Sequence, residues 1–140
     1  MLLRGLDRSH PQYGVVRMAI VALRRKGNVL CLMPQNLIEF WAVATRPVQS
    51  NGLGMDTQWS AAQFTRLKRF FTILPDTPEL FPEWERLVIQ YRVSGKSTHD
   101  ARLVASMNVH SVTHILTYNQ ADFSRYQGIT VIDPPAVVVG

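Results

Sequence analysis

The sequence predicts a single α/β domain over residues 1–140, of the three-layer α/β/α kind, with a central mostly parallel sheet whose first strand is missing or incomplete. Three observations predict it. Helical-period runs alternate with short β-branched runs along the chain, and parallel strands joined by crossovers need helices on both faces. Val29 to Met33 is followed at once by Pro34-Gln35-Asn36 and an amphipathic run, the strand–turn–helix half of a parallel unit. Residues 1 to 10 offer only Met1-Leu2-Leu3 before Arg4 and Gly5, too little for a complete strand in the middle of a sheet.

From Pro11 to Lys26, Val15, Ala19, Ala22 and Leu23 share one helical stripe while Arg17, Arg24, Arg25 and Lys26 face elsewhere. His10-Pro11 suits the entry to this helix and Gly27-Asn28 its exit. Val29–Met33 reads as a buried strand, and Leu37–Thr45 as a helix stopped near Pro47. Gln49–Asp56 is a loop. Asp56 or Thr57 caps a helix reaching about Phe71, with Trp59, Ala62, Phe64, Leu67 and Phe70 as its apolar contacts. Thr72–Leu74 is a strand, and Thr77–Arg92 a helix carrying Leu80, Trp84, Leu87, Val88 and Tyr91. After the loop Ser94–Ser97 come a helix over Thr98–Asn108, a strand over Val112–Thr117 and a last strand over Ile129–Ile132. An uncharged Pro-Pro-Ala-Val-Val-Val-Gly tail closes the chain, and no internal repeat is visible.

A hydrophobic content of 46% over 140 residues supports a real core and argues against a disordered chain. The lone cysteine, Cys31, has no partner for an internal disulfide, and no run of 18 or more uncharged apolar residues is present. The expectation is a cytoplasmic protein with no membrane partner. Fifteen Lys and Arg against ten Asp and Glu give a formal charge of +5, with short clusters at Arg24-Arg25-Lys26 and at Arg66, Lys68 and Arg69. Such a field attracts phosphate backbones without reading their sequence; clusters of this size also occur as ordinary solvated helix surface.

Two acids stand where a core is expected. Glu39 lies within Leu37-Ile38-Glu39-Phe40-Trp41 with Ala42 and Val43 as its same-face neighbours, so its carboxylate is expected on an inward face and must be bonded, paired or metal-bound. A position near the helix start, turned to water, is the alternative. Asp100 falls in the first turn of a helix followed on its side by Leu103, Val104 and Met107, with Ser97 or Thr98 as cap. The helix dipole alone favours an aspartate there, but a second helix-borne acid at the same sheet edge would let the two converge on a divalent cation. Leu116-Thr117-Tyr118-Asn119-Gln120-Ala121-Asp122-Phe123 delivers Thr117, Asn119 and Asp122 to the carboxyl end of a strand, as ligands or as turn formers. Cys31 and the four histidines lack zinc spacing. No glycine-rich nucleotide loop or Gly-x-Ser-x-Gly elbow occurs.

Pro34-Gln35-Asn36-Leu37-Ile38-Glu39-Phe40-Trp41, then Gly95-Lys96 with His99-Asp100-Ala101-Arg102-Leu103-Val104-Ala105, then Leu116 to Phe123 together resemble the blocks of the PIN-domain nucleases, especially the VapC-like toxins of type II toxin–antitoxin systems. The resemblance runs over essentially the whole chain. It implies an endoribonuclease dependent on Mg²⁺ or Mn²⁺, hydrolysing RNA phosphodiester bonds, dimeric, and inhibited by an antitoxin protein. By it Glu39, Asp100 and Asp122 are metal ligands, Asn119 stands where relatives carry a fourth acid, and Thr117 is a pocket hydroxyl. Lys96 and Arg102 meet substrate phosphate. Family chains open with a strand ending in Asp-Thr-Asn, whereas Met1-Leu2-Leu3-Arg4 matches only the stretch beyond that motif. The first strand and first catalytic aspartate are therefore expected to be absent, through a start at an internal methionine or through decay, and Asp7 does not replace that aspartate. Impaired catalysis is expected, or an inactive module that binds RNA or an antitoxin-like partner.

Overall fold

The computed structural model describes residues 13–139; the expected helix entry at His10-Pro11 and the readings of residues 1 to 10 lie outside that span. The described residues divide into two compact units, 13–75 and 76–139.

In the first unit, helix α1 (Tyr13–Arg25) buries Val16 and Ala19 and exposes Arg17, Arg24 and Arg25. It ends where Gly27 takes a left-handed φ of 84°, its amide donating to the Arg24 carbonyl while the Asn28 amide donates to that of Leu23. Strand β1 (Cys31–Leu32) pairs in parallel with β2 (Thr72–Ile73), Cys31 opposite Thr72 and Leu32 opposite Ile73. Between them run α2 (Pro34–Thr45), a 3₁₀ turn (Val48–Ser50) and α3 (Thr57–Phe70).

Pro34 opens α2, three residues earlier than the apolar run suggests, because a first-turn position wastes no amide. The Met33 amide donates to Asn36 Oδ1 at 2.8 Å and the Asn36 amide returns to the Met33 carbonyl at 3.0 Å. Leu37, Phe40 and Ala44 form the buried stripe, meeting Leu67 and the half-buried Trp59 and Phe64 of α3. The Phe40 ring lies 6.2 Å from Trp59 and 6.1 Å from Phe64. Each such large apolar side chain contributes roughly 1.5–3 kcal/mol when taken out of water.

The phase of α3 differs from expectation. Ser60, Gln63 and Leu67 face inward, whereas Ala62 and Phe70 are exposed. Ser60 is tolerated there because its hydroxyl donates back to the Asp56 carbonyl at 3.0 Å.

The loop before α3 folds back on α2. The amides of Leu53, Met55 and Gly54 donate to the carbonyls of Val43, Ala44 and Arg46, the groups that the end of a helix leaves without partners. Gly52 sits at the closest approach, where a Cβ would overlap the Arg46 carbonyl.

The second unit comprises α4 (Leu80–Gln90), α5 (Ser97–Val109), β3 (His114–Leu116), α6 (Gln120–Phe123), β4 (Thr130–Ile132) and α7 (Pro134–Val139). Its core joins Leu80 and Leu87 of α4, Ala101, Val104 and Ala105 of α5, and Phe123 and Tyr126. The Glu83 carboxylate accepts from Asn108 Nδ2 at 2.8 Å, and the Trp84 indole donates to the Thr98 carbonyl at 2.9 Å, so α4 grips α5 at two points. Strand β3 pairs in parallel with β4, His114 opposite Thr130 through Leu116 opposite Ile132. The uncharged tail, to which the sequence assigns no element, forms α7. Pro134 opens it and the Asp133 carbonyl accepts from Ala136 and Val137, which offsets the few tenths of a kcal/mol that each valine loses in a helix.

The architecture is therefore mixed α/β with helices and parallel strands interspersed, as expected. The single central sheet is corrected: the described residues form two separate two-stranded ladders, β1–β2 and β3–β4. Each strand is two or three residues long, and no described strand extends either pair.

Two substitutions test these local devices by denaturant unfolding. Asp56 Oδ1 accepts from the Trp59 amide at 2.7 Å, so Asp56→Ala is expected to cost about 1 kcal/mol while Asp56→Ser retains most of the stability. Gly52→Ala is expected to cost more than about 1 kcal/mol, because backbone rather than a flexible side chain blocks the new methyl.

Candidate functional site

Asp100 is presented by the first turn of α5. The chain enters that helix through Gly95, whose φ is 61°, and Thr98 Oγ1 donates to the Gly95 carbonyl at 2.8 Å. The cap position belongs to Lys96 rather than to the expected Ser97 or Thr98, which already lie within the helix. Asp100 is half-buried beside the fully buried Ala101 and Val104, in the first turn of α5, where the helix dipole favours its negative charge.

The segment beyond β3 carries the other polar candidates of this unit. Thr117 is buried, and its Oγ1 accepts from the Asn119 amide at 3.0 Å. Asn119 takes the cap position of α6, and its carbonyl accepts from the Asp122 amide at 3.1 Å. The backbone thus uses these residues as turn formers, leaving the exposed Asn119 and Asp122 side chains at the carboxyl end of β3.

Tyr126, three residues beyond α6, links this segment to Asp100. It is 3% exposed, its ring meets Tyr91 edge-on at 5.0 Å, and its hydroxyl has no hydrogen-bond partner among the described residues. Burial pushes its phenol pKa upward, Arg125 opposes that, and the Asp100 carboxylate adds to the rise. Ala101, Val104 and Ala105, on the helix that carries Asp100, pack with Tyr126 in one core cluster. Tyr126 was not among the residues the sequence singled out, because an aromatic side chain in an apolar-spaced position reads as core.

The phosphate contacts expected of Lys96 and Arg102 are placed differently from each other. Lys96 is exposed at the start of α5. Arg102 donates through NH2 to Asp76 Oδ2 at 3.1 Å.

Glu39 belongs to the first unit and does not lie on an inward face. With Leu37, Phe40 and Ala44 as the buried stripe, position 39 falls to the side of it, and the residue is exposed together with Ile38 and Ala42. Its Oε1 accepts from Nε2 of the buried Gln35, one turn earlier, at 3.0 Å. The carboxylate is thus oriented at its helix surface.

Among the described residues no group of three or more His, Cys, Asp or Glu side chains is gathered to hold a metal ion. Donor chemistry and geometry are separate matters here. Asp100, Asp122 and Asn119 offer hard oxygens of the kind Mg²⁺ and Mn²⁺ prefer, and Mg²⁺ commonly uses one or two carboxylates with water completing its shell. No helix among the described residues is long and apolar enough to cross a membrane. No family model matches the chain, and neither does any curated protein.

Two predictions concern the supports of Asp100. Arg86 meets Glu83 through two hydrogen bonds of 2.7 Å, and these, with Asn108, hold the Glu83 carboxyl below its usual range against the opposing effect of burial. A depressed carboxyl stabilises the fold above its unfolded value near pH ~4.3, and that contribution disappears as pH falls through the lower folded value. Glu83→Gln is therefore expected to lose about 1 kcal/mol or less at pH 7 and to flatten the acid limb of a melting-temperature profile below about pH 5. Tyr126→Phe removes a buried hydroxyl without a described partner, so calorimetry is expected to show an unchanged or higher melting temperature.

Proposed function

We propose that this chain is a PIN-type endoribonuclease domain that uses Mg²⁺ or Mn²⁺ to hydrolyse RNA phosphodiester bonds. The observation that carries the proposal is the packing of α5, whose first turn bears Asp100, against Phe123 and Tyr126 of the segment after β3 that bears Asn119 and Asp122. Two of the three sequence blocks that resemble the family thereby fall in one neighbourhood, beside the carboxyl end of a parallel strand, where α/β folds bind ligands. Each ladder has the parallel sense found in such α/β folds.

A bound divalent ion would supply a water of lowered pKa and neutralise charge on the departing oxygen. Asp100 is the first ligand, since its half-buried carboxylate loses least hydration when it binds an ion. Asp122 and Asn119 act directly or through water. Thr117 holds Asn119 in place through its hydroxyl, so it is a positioning residue. Lys96 meets substrate phosphate; Arg102 does so only by giving up Asp76, an exchange that a doubly coordinated phosphate favours. Glu39 enters as a ligand from the resemblance alone. A homodimer and an antitoxin-like inhibitor are parts of the same proposal.

Thermal melting with Mg²⁺ or Mn²⁺ tests the metal, and cleavage of a labelled RNA tests the reaction. An ion at 100 times its Kd is expected to stabilise the protein by about 2.7 kcal/mol. Asp100→Asn should abolish most of that gain together with cleavage, and Glu39→Gln should do the same if Glu39 is a ligand. Metal-dependent stabilisation without cleavage would leave an inactive module that binds RNA or an antitoxin-like protein. Neither stabilisation nor cleavage in the unaltered protein would overturn the proposal.

A further inference from the structure

The positive charge of this protein is concentrated in one unit. Between residues 13 and 75 there are eight basic residues (Arg17, Arg24, Arg25, Lys26, Arg46, Arg66, Lys68, Arg69) against two acids, Glu39 and Asp56. Between residues 76 and 139 five basic residues face seven acids.

Within the first unit the two basic clusters of the sequence come together. The Arg24 guanidinium stacks over the Phe70 ring at 4.3 Å and its NH1 lies 3.4 Å from the Phe70 carbonyl, so the last turn of α1 meets the last turn of α3. Arg25 and Lys26 extend the cluster on one side, and Lys68 and Arg69 on the other; all are exposed and none pairs with an acid among the described residues. Two helix ends contribute roughly half a negative charge each, which five full positive charges exceed several-fold. Asp56 is at the opposite end of α3, 14 residues away along the helix. That places it about 20 Å off, beyond the screening length of roughly 8 Å.

We propose that this surface binds the backbone of single-stranded RNA, with a base stacked against Phe70. Phe70 is 41% exposed, with Arg24 over its ring at 4.3 Å and the Phe71 ring T-shaped to it at 4.9 Å, so a base stacks on what remains open of this Arg24–Phe70 pair. Its contact with Arg24 holds a guanidinium plane and a ring together before any ligand arrives. Flat aromatic and guanidinium surfaces beside a cationic track suit an unpaired nucleic-acid strand, whose bases supply a stacking partner along with the phosphates. The proposal shares with the nuclease reading only the identity of the ligand. It assigns RNA to a surface that contains none of the proposed metal ligands.

The test is fluorescence anisotropy of a 12-nucleotide labelled RNA with the full chain, in EDTA so that metal-dependent cleavage cannot contribute. The triple variant Arg25→Ala, Lys26→Ala, Lys68→Ala is expected to bind at least tenfold more weakly near 0.1 M salt. The slope of log affinity against log salt should fall by about 2, given roughly 0.7 per phosphate contact. Phe70→Leu is expected to weaken binding fivefold or more with the slope unchanged, because it removes stacking rather than charge. The double variant Arg46→Gln, Arg92→Gln, which removes two charges away from this cluster, should stay within twofold. Circular dichroism melts on each variant confirm the fold. Unaltered binding in the triple variant would overturn the proposal. So would an equal loss for RNA, polyglutamate and phosphatidylserine vesicles with no effect of Phe70→Leu, since that pattern describes a generic polyanion surface. Failure of cleavage in Mg²⁺ with binding intact would count against the nuclease reading and leave this one standing.

Discussion

Strands of two and three residues cannot hold a fold by their own hydrogen bonds, and the rest of this structure is shaped by that constraint. Each ladder has a handful of backbone bonds, worth about 1 kcal/mol net apiece. The stability must come from the apolar helix faces: Leu37, Phe40 and Ala44 against Leu67 in one unit, and Leu80 and Leu87 against Val104 and Ala105 in the other. Helix ends accordingly carry much of the specification, through Asp56 and Asn36 at the starts and Gly27 and the loop of Leu53 to Met55 at the finishes.

The same economy sets the character of the candidate site. Asp100 owes its place to a helix that α4 grips through Glu83 and Trp84, so its position depends on the packing of the second unit rather than on local sequence. Tyr126 shows the consequence. A core aromatic brings a buried hydroxyl close enough to feel the Asp100 charge, although nothing in its immediate neighbours signals a site. By contrast, the polar residues after β3 are held by short bonds among themselves, and their backbone roles were legible as one of two alternatives.

Charge distribution gives the two units different surfaces. The first presents cations at converging helix ends, and the second presents carboxylates, of which Glu83 is engaged with Arg86 and Asn108 and Asp76 with Arg102. Net charge read over the whole chain hides this difference, because the seven acids of the second unit offset the cations of the first in the sum.

The sequence by itself determined the type and order of the longer elements, α1 to α5 with the strands between and after them, the parallel sense of the pairings, the Asp56 cap, the glycine at the end of α1 and the inward faces of α4 and α5, but not the short helices α6 and α7. These depend on periodicity and on local backbone chemistry, which neighbouring residues fully express. Tertiary structure alone decided that two ladders stand in place of one sheet, that α3 turns Ser60 and Gln63 inward, and that Glu39 faces solvent. A rotation of a helix by one residue moves a side chain through about 100°, from core to water, and only the surfaces it packs against select that rotation. The meeting of Arg24 with Phe70, 46 positions apart, is decided at that level too.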